Sequence, residues 1–456
     1  RTYWDMLKVP VHVEVEIKQE CRLSIADIVE NVSNNLREKC PIFQNGVVHQ
    51  LSESFANSVT IADLLEGQSV SYWQAELCVH AHKLSEQSHE SDYIEGEDEL
   101  PACEQWELPN IFLKGLWDSI VIDDVIKNRL LSYCNSSVQF SEAGIDTNII
   151  SWNRMILLHG PPGTGKTTMC KALAQKLYIR NSSRYTSGML LEVNSHSLFS
   201  KWFSESGKLV MKLFAHIKEL AEDTSCLVVV LIDEVESITS ARSSSGRSNE
   251  PGDAVRVVNA VLTSLDGLRR LPNVLLLCTS NLVDSVDAAF IDRIDMKVYI
   301  GPPPLRARFA ILQSCLVEIM DKHIISPSVP FSCTFEDIAN KFEPHIQSHR
   351  TCVEATADPS ESFFRSFEVP SFDLLRHTTS EPTGPSIAIS MPSTRQLSFE
   401  EHLFVVAGLC VGMSGRAMRK LPLRAHAYYL QRPSVKVEEF VAALHAIVAL
   451  KGEEGE

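Results

Sequence analysis

Residues Gly160-Pro161-Pro162-Gly163-Thr164-Gly165-Lys166-Thr167 satisfy the pattern G-x-x-x-x-G-K-[S/T], and their surroundings restrict the fold more than any other stretch of the chain. The apolar run Met155–His159 stands before them, and a helical pattern from Thr168 to Leu177 follows. The glycines let the backbone double back between strand and helix, so that successive N–H groups point inward. The helix N-terminus adds partial positive charge, which makes the turn a cradle for phosphate oxygens. Lys166 is then placed to reach β- and γ-phosphates, and the Thr167 hydroxyl to ligate Mg²⁺; Thr168 completes the phosphate-binding set.

The cradle also dictates what surrounds it. Met155–His159, Met189–Val193, Leu227–Ile232, Val274–Cys278 and Met296–Ile300 are continuous apolar runs separated by amphipathic helical segments. Strands buried on both faces and joined by helices predict a five-stranded parallel sheet in a doubly wound α/β domain, here bounded at 109–304. Residues 305–456 change to helical periodicity, predicting an α-helical C-terminal domain with helices over Ala307–Met320, Phe335–Phe342, Phe399–Leu409, Gly415–Leu430 and Val437–Leu450. Within it, 343–394 is rich in Ser, Thr and Pro with little periodicity and reads as a disordered insertion. Residues 1–88 read as a small α+β domain. Val11–Ile17 alternates apolar and polar, and Ser24 is a candidate N-cap for a helix with Ile25, Ile28, Val29, Val32 and Leu36 on one face. Shorter strand-like pieces follow at Val70–Trp73 and Leu77–Ala81, and the acidic stretch 89–108 reads as a linker.

Three positions at strand ends carry further candidate chemistry. Asp233 and Glu234 follow Leu227–Ile232, and a carboxylate at the C-terminal edge of a parallel strand lies on the ligand side of the sheet. There Asp233 can hold Mg²⁺ while Glu234 polarises an attacking water; the plainer reading is a cap on the next helix. Asn281, closing Cys278-Thr279-Ser280-Asn281, can orient that water, or simply form an Asx turn. Arg293, in Asp292-Arg293-Ile294-Asp295, either pairs with a neighbouring aspartate or reaches a second subunit's phosphates, where a guanidinium contributes about 10³–10⁵ in rate. Arg416 opens a C-terminal helix, the wrong end for a cation unless an anion is near.

Composition removes several classes. The chain has 456 residues, 44% of them apolar, and a formal net charge of −16, which speaks against non-specific adhesion to nucleic acid or anionic membrane. No run approaches the roughly 20 apolar residues of a bilayer span, and nothing at Arg1 resembles a secretion signal. The 12 cysteines form no C-x-x-C pair and no zinc spacing, so reduced buried thiols are expected, and His80 and His82 are read as ordinary residues.

The set as a whole resembles an AAA+ ATPase, with P-loop, acidic pair, sensor asparagine, trans arginine and lid arginine in chain order. Ile150–Arg154, Ser195–Lys208, Leu231–Ser237 and Arg416–Pro422 narrow the resemblance to the pachytene checkpoint ATPase family, also called thyroid receptor-interacting protein 13 in animals. It covers about Leu108 to the C-terminus apart from the insertion, and faintly the first domain. That resemblance implies an ATP- and Mg²⁺-dependent homo-hexamer that remodels HORMA-domain proteins from closed to open forms, aided by a HORMA adaptor. It places the family at meiotic chromosomes and the spindle checkpoint, in nucleus and cytoplasm, without nucleic acid or membrane as direct partner. Glu234, Asn281, Arg293 and Arg416 become its catalytic set, and Trp202 and Phe203 its pore-loop pair, although either aromatic could be a buried anchor. Ser243–Asp253 corresponds to a second pore loop, with Pro251 and Gly252 arguing against regular structure, and Gly115–Asp118 to a segment by the adenine pocket. Three rival functions follow: a nucleotide-gated HORMA-binding scaffold, a nucleic-acid loader or helicase, and an unfoldase feeding a protease.

Overall fold

The computed structural model describes residues 8–48, 55–64, 68–88, 90–93, 101–146, 149–193, 195, 206–239, 251–350, 364, 367 and 397–454. The chain divides into two compact units, 1–160 with 166–300, and 161–165 with 301–456.

The first unit begins with β1 (Val9–Ile17), α1 (Ile25–Lys39), β2 (Ala56–Ala62) and β3 (Ala75–His82). Strand β1 lies between β2, antiparallel, and β3, parallel, and Gly46–Val47 completes a four-stranded sheet. Val11, Val13, Val15 and Ile17 pack with Ile28, Val32 and Leu36 of α1, the face that its apolar spacing specifies. Ser24 caps α1 through Asp27 N at 3.1 Å. Sequence reading passed over β2, although Val59 and Ile61 alternate in it with polar Ser58 and Thr60.

The same unit continues through β4 (Glu90–Tyr93), β5 (Pro101–Leu108), α2 (Asp124–Glu142), β6 (Met155–His159), α3 (Lys166–Arg180), β7 (Ser187–Val193), α4 (Ser206–Ala221), β8 (Cys226–Ile232), α5 (Pro251–Leu268), β9 (Val274–Ser280) and β10 (Met296–Tyr299). One seven-stranded sheet results, in the order β10-β6-β9-β8-β7-β5-β4. The five expected strands form its parallel part. All seven residues of β8 and of β9 are buried. Val228, Val230 and Ile232 face one apolar cluster while Leu227, Val229 and Leu231 face the other, which is why this strand has no polar alternation. At about 1.5–3 kcal/mol for each fully buried large aliphatic side chain, the two central strands anchor the domain.

Strands β4 and β5 correct the expected linker over 89–108 and the sheet boundary at 109. Residues 101–108 pair antiparallel with β7, and β4 pairs antiparallel with β5. Acidic composition suggests solvent, but β5 lies between β7 and the edge strand β4 and buries Cys103 on one face and Leu108 on the other, while Glu107 is exposed. Pro251, Gly252 and Asp253, expected in a loop, form the first turn of α5, where a proline's missing N–H costs nothing.

The second unit holds α6 (Leu305–Asp321), α7 (Phe335–Arg350), α8 (Phe399–Leu409), α9 (Gly415–Ala425) and α10 (Val437–Glu454). Residues 426–430 continue α9 as a π-helical turn. The expected insertion over 343–394 is corrected in part. Helix α7 runs past Phe342 to Arg350 with Pro344 inside it, and Ile346 is buried in the helical core. Phe364 also lies in that core, 2% exposed, with Phe367 packed against it. A Cβ on Gly408 would come within 2.2 Å of the Phe364 ring, so this glycine in the last turn of α8 makes the seat for that phenyl group. The remainder of 343–394 lies outside the described residues. Among the described residues no helix is long and apolar enough to cross a membrane.

Candidate active site

The strand order reverses at β6, whose neighbours β9 and β10 both come later in the chain. Ligands of such sheets sit at the crevice beyond the strands' C-terminal ends at this switch point. Gly160 leaves β6 there, and Asp233 and Asn281 leave β8 and β9 on the same edge. Gly160 (φ +144°) has no room for a side chain, since a Cβ would meet the Ile300 carbonyl oxygen at 2.2 Å.

Lys166, the first residue of α3, is 6% exposed. Its Nζ donates to Gly160 O and to Asn281 Oδ1, each at 2.8 Å. Burial pushes its pKa below the ordinary lysine value, opposed by the carboxylates of Glu236, Asp233 and Glu234. Thr167 Oγ1 donates to Asp233 Oδ1 at 2.8 Å. Asn281 Nδ2 donates in turn to Glu234 Oε1 at 3.3 Å. Ammonium, amide and carboxylate thus form one chain beside the hydroxyl–carboxylate pair. The backbone of Glu234 is left-handed at φ 53°, an arrangement that costs a non-glycine residue on the order of 1–3 kcal/mol and aims the side chain away from the path of β8.

Residues that sequence reading missed hold these groups in place. Thr279 Oγ1 donates to Asp233 Oδ1 and accepts from Glu234 N at 3.0 Å, tying both acids to β9. Glu236 Oε1 accepts from Asn281 N at 2.9 Å, and its other oxygen is buried without a hydrogen bond. Ser195 donates to the Asp233 carbonyl. Ser195 and Glu236 lie in stretches that carry the family resemblance, and Thr279 inside an apolar strand, but only proximity reveals what each of them holds. The donor set fits a divalent cation with phosphate. A hydroxyl and a carboxylate converge, and three carboxylates (Asp233, Glu234, Glu236) surround one lysine, an excess of negative charge that a cation offsets.

The second unit contains Pro161–Gly165 together with the start of α9. Gly163 and Gly165 have φ of 75° and 96°. Gly163 O accepts from Arg416 N at 3.3 Å, and a Cβ on Gly163 would meet Ser414 Oγ at 2.9 Å. Ser414 caps α9 through Ala417 N, which leaves Arg416 exposed in the first turn.

Arg293 lies elsewhere, between the short helix Ala288–Ile291 and the N-terminal end of β10. It pairs with neither expected neighbour: Nε and Nη2 each donate to Asp266, at the C-terminal end of α5, at 2.8 Å. Asp295 instead accepts from the backbone of Asn153 and Met155. Gly115, Trp117 and Asp118 line a cavity of about 190 Å³ with Glu14, Glu16 and Lys176, and the Trp117 ring lies under Lys127 and Lys176. Trp202, Phe203 and 243–250 lie outside the described residues. No disulfide joins any two of the 11 cysteines among the described residues.

Comparison with known proteins finds three family models that match separate stretches of the chain. The family model for the ATPase family associated with various cellular activities (AAA) matches residues 156–302, that for the TRIP13 N-terminal domain 6–87, and that for the TRIP13-like, AAA+ ATPase lid C-terminal domain 368–451. A pachytene checkpoint protein 2 homolog of Xenopus tropicalis is 42% identical over 447 residues, covering 96% of this chain and 92% of the relative. One from Gallus gallus is 40% identical over 455 residues, covering 98% and 94%. The structure of C. elegans PCH-2 superposes with a TM-score of 0.71 at 30% identity, covering 98% of this chain and 100% of that one.

Proposed function

The chain belongs to the pachytene checkpoint protein 2 (TRIP13) family of AAA ATPases, and on that premise we propose that it is a homo-hexameric machine that uses ATP hydrolysis to convert HORMA-domain proteins from closed, partner-bound forms to open ones. Nucleotide binding and hydrolysis follow from the family. The client class, the adaptor, the ring and the setting (meiotic chromosomes and the spindle checkpoint, in nucleus and cytoplasm) are the reading that family resemblance favours.

The observation that carries the mechanism is the hydrogen-bonded chain Lys166–Asn281–Glu234 beside Thr167–Asp233. Lys166 exchanges Gly160 O and Asn281 Oδ1 for phosphate oxygens of ATP. Asn281, released by Lys166 at its amide oxygen and still bonded to Glu234 through Nδ2, presents the attacking water to the carboxylate, which takes its proton. Thr167 and Asp233 would hold Mg²⁺, which when bound neutralises charge developing on the phosphates. Arg416, whose backbone holds Gly163, senses the phosphates from the lid, and Arg293 acts on the nucleotide of an adjacent subunit. Trp202 and Phe203 grip the client chain in the pore.

Glu234→Gln tests this. It should bind ATP with near-normal affinity, hydrolyse it at least ~10²-fold more slowly, and fail to convert a closed HORMA protein. Retained hydrolysis would remove Glu234 from the mechanism. Lost hydrolysis with full conversion would replace the motor by a nucleotide-gated scaffold.

A further inference from the structure

Asn281 stands one residue past β9, beyond both ladders of that strand, which end at Ile232–Cys278 with β8 and at His159–Ser280 with β6. Its backbone N–H therefore needs an acceptor from elsewhere. Glu236, in the short helix Val235–Thr239, supplies one: Oε1 accepts from Asn281 N at 2.9 Å, from 45 residues earlier in the chain. The next N–H, that of Leu282, goes to Ser280 Oγ at 3.1 Å, and Ser280 is fully buried. A tie also runs the other way, since Thr279 Oγ1 of β9 accepts from Glu234 N at 3.0 Å. The turns that carry Glu234 and Asn281 are thus clasped reciprocally, each backbone held by a side chain from the other side.

The clasp matters once nucleotide arrives. The Asn281 amide is held at two ends, Oδ1 by Lys166 at 2.8 Å and Nδ2 on Glu234 Oε1 at 3.3 Å. Phosphate draws Lys166 away from the first of these, and 3.3 Å is long for a bond that must then orient the amide alone. A carboxylate is repelled by phosphate, so Glu236 stays on Asn281 N when Lys166 leaves. Its other oxygen, Oε2, is buried without a hydrogen bond, a costly arrangement. Burial lowers the Lys166 pKa, and Glu236, ahead of Asp233 and Glu234, opposes that shift. Negative charge is already ample around the lysine. What Glu236 adds is an acceptor at one backbone N–H.

We infer that Glu236 is a positioning residue: through the backbone of Asn281 it keeps the asparagine amide on Glu234 after Lys166 has turned to the nucleotide. This rests on the reading of Glu234 and Asn281 as the pair that directs the attacking water. The test compares steady-state ATPase kinetics of the full chain with Glu236→Ala, Glu236→Gln, Asn281→Ala and the double variant Glu236→Ala/Asn281→Ala. Misplacement by about 1 Å costs roughly 10²-fold, so Glu236→Ala should lower kcat by about that factor with KM for ATP nearly unchanged. Glu236→Gln keeps an oxygen for Asn281 N and should recover most of the loss. The double variant should be no slower than Asn281→Ala, because Glu236 acts only through that amide.

If Asn281→Ala is slow while Glu236→Ala turns over like wild type, the inference falls and the reading of the pair stands. A Glu236→Gln protein as slow as Glu236→Ala would also overturn the inference, since charge and not the hydrogen bond would then matter. So would a double variant slower than Asn281→Ala by the whole Glu236→Ala factor. Normal turnover by Asn281→Ala removes the reading of the pair and takes this inference with it. Should Glu236→Ala not fold, Glu236→Leu fills the same space without the acceptor and must show the same kcat loss.

Discussion

Helix α3 starts at the phosphate-binding lysine and ends at two cations, Lys176 and Arg180, that belong electrostatically to the N-terminal sheet. Arg180 Nη2 contacts Asp63 and lies 3.1 Å from Glu14; Lys176 Nζ lies 2.6 Å from Glu14 and 3.5 Å from Asp63. Arg180 is 2% exposed at its side chain and Asp63 10%, so two positive and two negative charges are balanced almost out of water. Burial acts to raise the Asp63 pKa, but Arg180 and then Lys176 outweigh it and hold the carboxyl below its ordinary value. Arg180→Met preserves the stem and removes the charge. It leaves two buried carboxylates sharing one lysine, and a buried pair broken on one side costs about 3–5 kcal/mol. Asp63→Asn leaves Lys176 and Arg180 sharing Glu14 and should cost a comparable amount. The double variant returns to one pair, Lys176 with Glu14, and should be destabilised by markedly less than the sum, with a coupling of about 1–3 kcal/mol. Amide hydrogen exchange in β1 and β2, on either side of Glu14 and Asp63, reads these values in the whole chain. Additivity within about 0.5 kcal/mol would mean that the four charges do not form one cluster and would refute the reasoning.

Two further outcomes follow from packing and titration in the helical unit. Gly408→Ala should destabilise it, because overpacking against Phe364 costs about 1–3 kcal/mol against a helix gain of about 1. In a Phe364→Ala background the same change should stabilise, and chemical denaturation that shows no reversal of sign would unseat Phe364. His402 and His445 share a hydrogen bond at 2.9 Å, and burial lowers both pKa values, His445 to about 4 from an ordinary 6.5. The unfolded chain therefore binds protons that the folded one refuses, so this contribution is complete above about pH 6.5 and is lost as pH falls toward 4. Urea midpoints between neutral pH and about pH 5 should fall for wild type and fall less for His445→Leu.

Lys166 and Thr167 could be placed from sequence by the glycine-rich turn between β6 and α3, and Asp233, Glu234 and Asn281 because they follow apolar runs whose ends parallel-sheet topology brings to one edge. Thr279, Glu236 and Asp266 could not. Their work depends on which strand neighbours which, and that order is set by crossovers rather than by local pattern. Arg293 illustrates the difference: its near neighbours Asp292 and Asp295 are the partners of its plainer reading, yet its carboxylate comes from α5. The misreadings at 89–108 and 343–394 share another cause. Polar composition does not fix exposure: β5 buries Cys103 and Leu108 between acidic residues, and Gly408 leaves room for the Phe364 ring in the helical core.

The antiparallel border made by β5 and β4 bears on how such a chain can be cut or recombined. A fragment beginning at 109 would keep every nucleotide-contacting group and still lose the pairing partner of β7, uncovering the backbone of a strand that carries Leu190, Leu191 and Val193. An open apolar margin of that kind invites intermolecular pairing. The catalytic sheet therefore begins before residue 109: any chimera that keeps it whole must carry β4 and β5 with it.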